Sequence, residues 1–371
     1  MIYALIMAGG IGSRFWPKSR ISQPKQFLSF FDDKTLLQTT IDRIRPIIPP
    51  ERILVSTNAD YIGLVKEQVP DLPDDNIIGE PVARNTAPCI AFASALLHYR
   101  DPDATLIVLP SDHYIPNDET FRNDLQTCVR IARDGEKLVT IGITPTRPET
   151  GYGYIQYNDE KQISLKNDKD GNVDIAYPVK TFAEKPDVQT ALKFLQSGDF
   201  LWNSGMFIWN TKDILLEIEQ HMPVLYHQVE IFADDLNRHN GAVRKEILET
   251  VYHACFAVSI DYGIMEKSDN VVVLPSHFDW SDLGSWMAIY ELQSEEATDE
   301  GNILNSKRVI TVMSQNCYVQ SDSSKLITLV GLQGIGVIET EDALLLCKLD
   351  NSQHVKDVYD QLKGKDYDKY R

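Results

Sequence analysis

The chain has 371 residues, more than one typical domain of roughly 150, and its 43% hydrophobic and 24% charged residues are ordinary usage for a packed core. Its 54 acidic against 36 basic residues give a net charge of −18, which repels nucleic acid and anionic membranes alike. No apolar run reaches bilayer length, MIYALIMAGG lacks the parts of a signal peptide, and the five cysteines are scattered with no CxxC pair. A cytoplasmic protein with reduced thiols, binding neither nucleic acid nor membrane, is expected.

Apolar runs alternate with amphipathic stretches from the start. Residues 3–7 read as a buried strand, 36–44 as a helix, 53–55 as a strand and 60–69 as a helix. A short strand at 77–78, a helix over 87–99, a strand at 105–109, a helix over 120–133 and a strand at 138–143 follow, with another strand at 271–274. Continuous apolar strands separated by helices predict an open, doubly wound α/β sheet, mostly parallel and covered on both faces. Such sheets place ligands at the carboxyl ends of their strands. The polar segments AGGIGSR, EPVARNTAP, PSDH and PSHFDWSD each follow one of these strands. After about residue 300 the pattern changes to short β-rich pieces at 309–312, 326–332, 335–338 and 343–349, joined by Gly, Asp, Asn and Ser, with a helix over 353–362. A catalytic domain over 1–295 and a small β-rich domain over 300–371 are expected, the even spacing suggesting a coil of strands.

Residues 1–31 carry Arg14, Lys18, Arg20 and Lys25 and no acidic residue, where the chain's average would place about four or five. This reversal of sign begins directly after a strand and a glycine cluster. Gly9, Gly10 and Gly12 let the main chain turn sharply and present N–H groups to an anion. Two familiar phosphate loops are excluded: GxxxxGK[ST] is absent, and Phe15 stands where the dinucleotide fingerprint needs its third glycine.

AGGIGSRFWPKSR followed by PKQF resembles the signature of the sugar-nucleotide pyrophosphorylases, and in this wording that of the mannose-1-phosphate guanylyltransferases. The match runs on through GEPVARNTAPCIAFA, VLPSDH, TIGITPTRPETGYGYI, FAEKPD, WNSGMFIW, DYGIMEK and DWSDLGSW, in the family's order, over about residues 1–286. The resemblance implies the Rossmann-like nucleotide-diphospho-sugar transferase fold with a short β-helix-like appendage, which often serves association, so a homodimer is expected. It also implies transfer of GMP from GTP to α-D-mannose 1-phosphate, giving GDP-mannose and pyrophosphate.

A phosphate monoester is already an adequate nucleophile, so catalysis reduces to positioning and charge neutralisation. Asp112 and Asp282 follow two different strands, and a parallel sheet would bring both to one edge. Two like charges 4 Å apart cost roughly 4 kcal/mol near a protein surface, so two carboxylates facing a triphosphate require a cation between them. The resemblance assigns these two aspartates to magnesium, or manganese in its place. A hard oxygen-loving cation leaves His113 out of the set. Arg14 suits the departing pyrophosphate, since a guanidinium contacts phosphate bidentately, and Lys25 suits the charge growing on the α-phosphate. Lys18 and Arg20 are expected to be supporting or surface charges.

For the nucleotide the expected residues are Ala8, Gly9, Gly10 and Gly12 with Glu80, Asn85, Thr86 and Ala87. By themselves the last three are an ordinary helix start; the resemblance implies guanine, whose N–H edge Glu80 would accept. Gly153, Glu184, Lys185 and Asn203 are implied for the sugar phosphate, with Tyr152 and Trp202 as packing residues. A pyrophosphorylase for another nucleotide and hexose, and a catalytically silent sugar-nucleotide sensor, are the alternatives; retention of Arg14, Lys25, Asp112 and Asp282 weighs against the sensor. Some relatives continue into a mannose-6-phosphate isomerase domain, but the roughly 70 residues after 300 are too few and too poor in histidine for it, so no isomerase activity is expected.

Overall fold

The computed structural model describes residues 1–166, 173–364 and 366–371. They group into two compact units interleaved along the chain: the first comprises residues 1–9, 41–111 and 115–280, the second residues 10–40, 112–114 and 281–371.

The first unit is built on a ten-stranded sheet, with strands β1 (Ile2–Ala8), β2 (Ile53–Asn58), β3 (Ile77–Glu80), β4 (Thr105–Pro110), β5 (Leu138–Ile143), β6 (Gly153–Tyr157), β7 (Ile163–Lys166), β8 (Val173–Glu184), β9 (Phe200–Asn210) and β10 (Val271–Pro275). The spatial order is β3-β2-β1-β4-β9-β5-β10-β8-β6, with β7 beside β8. β1 to β4 pair in parallel, as do β5 and β10. β8 and β9 run against the rest, β9 inserting antiparallel between β4 and β5. The doubly wound expectation therefore holds, with an antiparallel insertion that the sequence reading does not contain. Strand β9 escapes it because Leu201, Trp202, Met206, Phe207, Ile208 and Trp209 are all buried, which erases the alternation of a half-exposed strand.

The helix Thr86–Arg100 forms the centre of the main core. Eleven of its fifteen residues are buried, as its small and apolar composition on every side requires. Phe92 meets Phe232 of the helix Pro223–Arg238 at 5.4 Å between ring centroids and Tyr252 of the helix Lys245–Ala254 at 5.0 Å.

The second unit contains the glycine loop and the C-terminal strands β11 (Ile303–Asn305), β12 (Val309–Val312), β13 (Tyr318–Ser321), β14 (Ile327–Val330), β15 (Ile335–Glu339) and β16 (Leu344–Lys348). β11, β13 and β15 pair in parallel, as do β12 and β14, while β16 closes antiparallel on β15. Val309 lies opposite Ile327 and Tyr318 opposite Gly336, the same eighteen-residue offset, so the chain coils as a short β-helix. Cys317, Val319, Leu329 and Val337 fill the coil. A second cluster joins Phe15 and Trp16 of the glycine loop to Trp286, Tyr318, Ile338 and Leu345. No helix among the described residues is long and apolar enough to cross a membrane.

Candidate active site

In the second unit, Gly12 sits at φ +71°, and a Cβ there would lie on the Cβ of Lys25, so only glycine allows this bend. The Lys25 N–H donates to the Ile11 carbonyl at 3.0 Å, and the Ser19 hydroxyl donates to the Gly12 carbonyl at 2.6 Å. The loop thereby folds back on itself and buries Lys25 to 5% exposure. The Lys25 ammonium donates to Asp112 Oδ2 at 2.8 Å and to the Asp282 carbonyl at 2.8 Å. A two-way backbone bridge between Tyr114 and Ser281, 2.9 and 3.0 Å, holds the two aspartate segments side by side. Two residues 170 positions apart in sequence are thus neighbours on one ammonium. Burial works to raise the Asp112 carboxyl, but the charges of Lys25 and His113 and the Lys25 hydrogen bond outweigh it and hold it below the usual carboxylate range. Arg14 is exposed and makes no hydrogen bond or ion pair among the described residues. The other two cations of the loop are engaged elsewhere: Lys18 reaches Asp322 at 3.3 Å and Arg20 reaches Asp342 at 2.7 Å.

Asp112 and Asp282 present hard carboxylate oxygens, and a third of the Asp112 side chain is open to solvent. That donor set suits magnesium, which takes one or two carboxylates and fills its shell with phosphate and water. No cluster of three or more His, Cys, Asp or Glu suited to a metal occurs among the described residues.

In the first unit, the ends of β1, β2 and β3 make one polar corner. Ser56 donates to Glu80 Oε1 at 2.7 Å, the Thr57 hydroxyl donates to the Ala8 carbonyl at 2.8 Å, and a Cβ on Gly9 would lie 4.0 Å from Glu80 Oε1. Ala8, Gly9 and Glu80 are therefore together. Burial pushes the Glu80 carboxyl up, against the lowering effect of its bond to Ser56, and leaves it 8% exposed. Asn85 adopts φ +63° and caps the helix Thr86–Arg100 by accepting from Thr86 N at 2.9 Å. Thr86 and Ala87 are already engaged: the Thr86 hydroxyl accepts from Ile260 N at 2.9 Å, and Ala87 N donates to the Val258 carbonyl at 3.1 Å.

A second cluster of this unit gathers Gly153, Glu184 and Asn203. Gly153 pairs with Glu184 across β6 and β8, and a Cβ on it would lie 2.6 Å from Glu184 Oε2 and 3.4 Å from Asn203 Cβ. Lys185, at φ +45°, donates to Glu184 Oε1 at 2.6 Å. Asn203 is fixed at both ends of its amide, Oδ1 accepting from Gly205 N at 3.1 Å and Nδ2 donating to Asp261 Oδ1 at 2.7 Å. Tyr152 and Trp202 meet edge to face at 5.2 Å, as packing residues would. Asp261 is the residue that the sequence reading passed over, although DYGIMEK contains it. It opens a five-residue π turn, and burial pushes its carboxyl up to about 6, with Glu184 adding to the shift. Periodicity gives no sign of such a turn; only an acidic residue isolated in an apolar run hints at it.

A doubly wound sheet in the first unit, and in the second a cationic glycine bend beside two aspartates, are the features of a nucleotide-handling transferase. The nucleotidyl transferase family model matches residues 3–299, and the MannoseP isomerase/GMP-like β-helix domain model matches residues 307–362. The mannose-1-phosphate guanylyltransferase ManC of Salmonella typhimurium is 39% identical over 98% of this chain and 73% of its own length. The mannose-1-phosphate guanylyltransferase of Escherichia coli strain K12 is 38% identical over 98% of the chain and 74% of its own. A crystal structure described as a mannose-1-phosphate geranyltransferase from Thermus thermophilus superposes with a TM-score of 0.82 at 31% identity, covering 98% of this chain and 99% of that one. The chain belongs to the nucleotidyl transferase family, in the group of the mannose-1-phosphate guanylyltransferases.

Proposed function

We infer that this chain transfers GMP from GTP to α-D-mannose 1-phosphate, releasing pyrophosphate and forming GDP-mannose by direct in-line attack. The observation that carries the reading is the Lys25 ammonium, buried beside the glycine bend and shared between Asp112 and the Asp282 backbone. The ammonium has three donors and these two contacts use two, leaving one for an α-phosphate oxygen. Arg14, exposed and without an internal partner among the described residues, takes the leaving pyrophosphate. Glu80 accepts from the N–H edge of guanine. Glu184 and the remaining N–H of Asn203 bond hexose hydroxyls, and Lys185 takes the sugar phosphate. Asp112 and Asp282 would hold magnesium, or manganese in its place, and the cation would neutralise triphosphate charge.

The chain would work in the cytoplasm, where GTP is at hand and its cysteines, all free, stay reduced. A homodimer joined through the β-helix fits the outward face of β12 and β14, where Ile310 (51% exposed), Val312 (47%) and Val330 (64%) form an apolar strip.

Titration of GTP and of ATP with and without magnesium, followed by mannose 1-phosphate and a pyrophosphate assay, tests the function. Pyrophosphate release is expected only with the metal and both substrates, with GTP preferred over ATP by roughly 10⁴ in kcat/KM, because a base site built on hydrogen bonds is left unpaired by the wrong purine. Equal turnover with ATP, or with glucose 1-phosphate, would overturn the assignment.

A further inference from the structure

Four cations stand in the glycine loop, and the phosphate chemistry uses two of them. Arg20 is spent on the C-terminal strands and tail of its own unit. Its Nη2 bonds Asp342 Oδ1 at 2.7 Å and Thr340 Oγ1 at 3.3 Å, and Nη1 donates to the Tyr370 carbonyl at 2.7 Å. The indole N–H of Trp16 donates to the same carbonyl at 2.7 Å. Two side-chain donors thus converge on one main-chain oxygen six residues beyond Gly364. The tail makes a further contact through Arg371, whose guanidinium lies 5.2 Å over the ring of Tyr359 in the helix Val355–Leu362. Trp16 is 8% exposed and the Arg20 side chain 13%, so neither donor can turn freely to water if the carbonyl is lost.

The clasped residues lie inside the loop that carries the site. Arg20 Nε donates to the Pro17 carbonyl at 2.6 Å, and the Arg20 and Gln23 main chains bond each other in both directions, at 3.0 and 3.1 Å. Ser19 holds the Gly12 carbonyl, and Lys25 N holds the Ile11 carbonyl. From Gly12 to Lys25 the loop is one hydrogen-bonded piece, so a shift at Trp16 or Arg20 moves Arg14 and Lys25 with it.

We propose that residues 366–371, through the Tyr370 carbonyl, act with Asp342 as a clamp on Trp16 and Arg20 that positions Arg14 and Lys25 for phosphate transfer. Trp16 and Arg20 are then positioning residues that touch no substrate. The inference rests on the reading above, in which Arg14 and Lys25 face the phosphates. A displacement of about 1 Å at a reacting group costs up to roughly 100-fold in rate, so the clamp acts on kcat. Glu184, Lys185 and Asn203 belong to the other unit, and the KM for mannose 1-phosphate is expected to stay within about twofold.

The test compares the full chain with a deletion of residues 366–371, with Arg20→Ala and with Lys25→Ala, by steady-state kinetics and thermal melting. The deletion and Arg20→Ala should each lower kcat roughly 10- to 100-fold with the KM for mannose 1-phosphate unmoved, and millimolar guanidinium should restore part of the Arg20→Ala loss. Should the deletion fail to fold, Arg20→Ala with guanidinium rescue decides alone. Wild-type kcat in the clamp variants beside a crippled Lys25→Ala would overturn the clamp and leave the catalytic reading standing. Wild-type kcat in Lys25→Ala would overturn both. A parallel rise in both KM values without guanidinium rescue would mark a general loss of structure and also overturn the clamp.

Discussion

Asp261 shows how one side chain can serve a site at a cost to the fold. Its carboxylate accepts from the Asn203 amide and so fixes Asn203, which is proposed to meet the hexose, yet burial and the nearby Glu184 charge both disfavour its ionised form. Its carboxyl is pushed from 3.8 up to about 6. Below pH 3.8 the group is protonated in folded and unfolded chain alike and costs nothing. Between 3.8 and about 6 the unfolded chain releases its proton first, so folding stability falls as pH rises, by a total on the order of 2–3 kcal/mol. Asn in its place keeps an oxygen for Asn203 and removes the charge. Asp261→Asn should therefore melt several degrees above the parent at pH 7.5, and the gap should close by pH 4. A gap that does not change with pH, or a less stable variant at pH 7.5, would contradict this account.

At the scale of the element, the pairing of β6 with β8 sets the sugar cluster. Gly153 stands opposite Glu184 because the register places it there, and the missing Cβ is what lets the carboxylate lie over the strand. An alanine would meet Glu184 Oε2 at 2.6 Å, the far end of a flexible side chain, so the carboxylate would move and the strand would not. Gly153→Ala should accordingly fold with a stability within about 1 kcal/mol of the parent. Its KM for mannose 1-phosphate should rise roughly tenfold or more while GTP binding is unchanged, because hydroxyl recognition depends on placement. Kinetics with an unaltered KM would remove Glu184 from the sugar site. The segment 258–261 does similar work from a distance in sequence, since it bonds Arg84, Thr86 and Ala87 at one end and Asn203 at the other.

For the whole molecule, a net charge of −18 opposes self-association, so any lasting contact between copies must come from a surface that carries little charge. The strip Ile310, Val312 and Val330 is such a surface, and Val312 lies directly opposite Val330. Light scattering at micromolar concentration should report a dimer for the parent and a monomer for the Val312→Glu, Val330→Glu double variant, whose changes fall at exposed positions. A monomeric parent would refute the dimer.

Local chemistry makes much of this protein legible in its sequence. Buried parallel strands are continuous apolar runs, and the turns that end them are glycine, proline and aspartate, so β1 to β5 and β10 could be read directly. The cationic glycine bend was readable for the same reason, since it follows such a strand, whereas Asp112 and Asp282, turn residues on their own, stand out only through the family resemblance. The tertiary structure alone decided the rest. Strand β9 is buried on both faces and carries no alternation. The loop 10–40 packs with Trp286 and the C-terminal strands through Phe15 and Trp16, contacts that span some 270 to 330 positions and leave no periodic trace. The partners of Arg20, Asn203 and Thr86 likewise come from distant segments. Which charge serves the substrate and which clasps the fold is a matter of three-dimensional neighbours, and composition cannot express it.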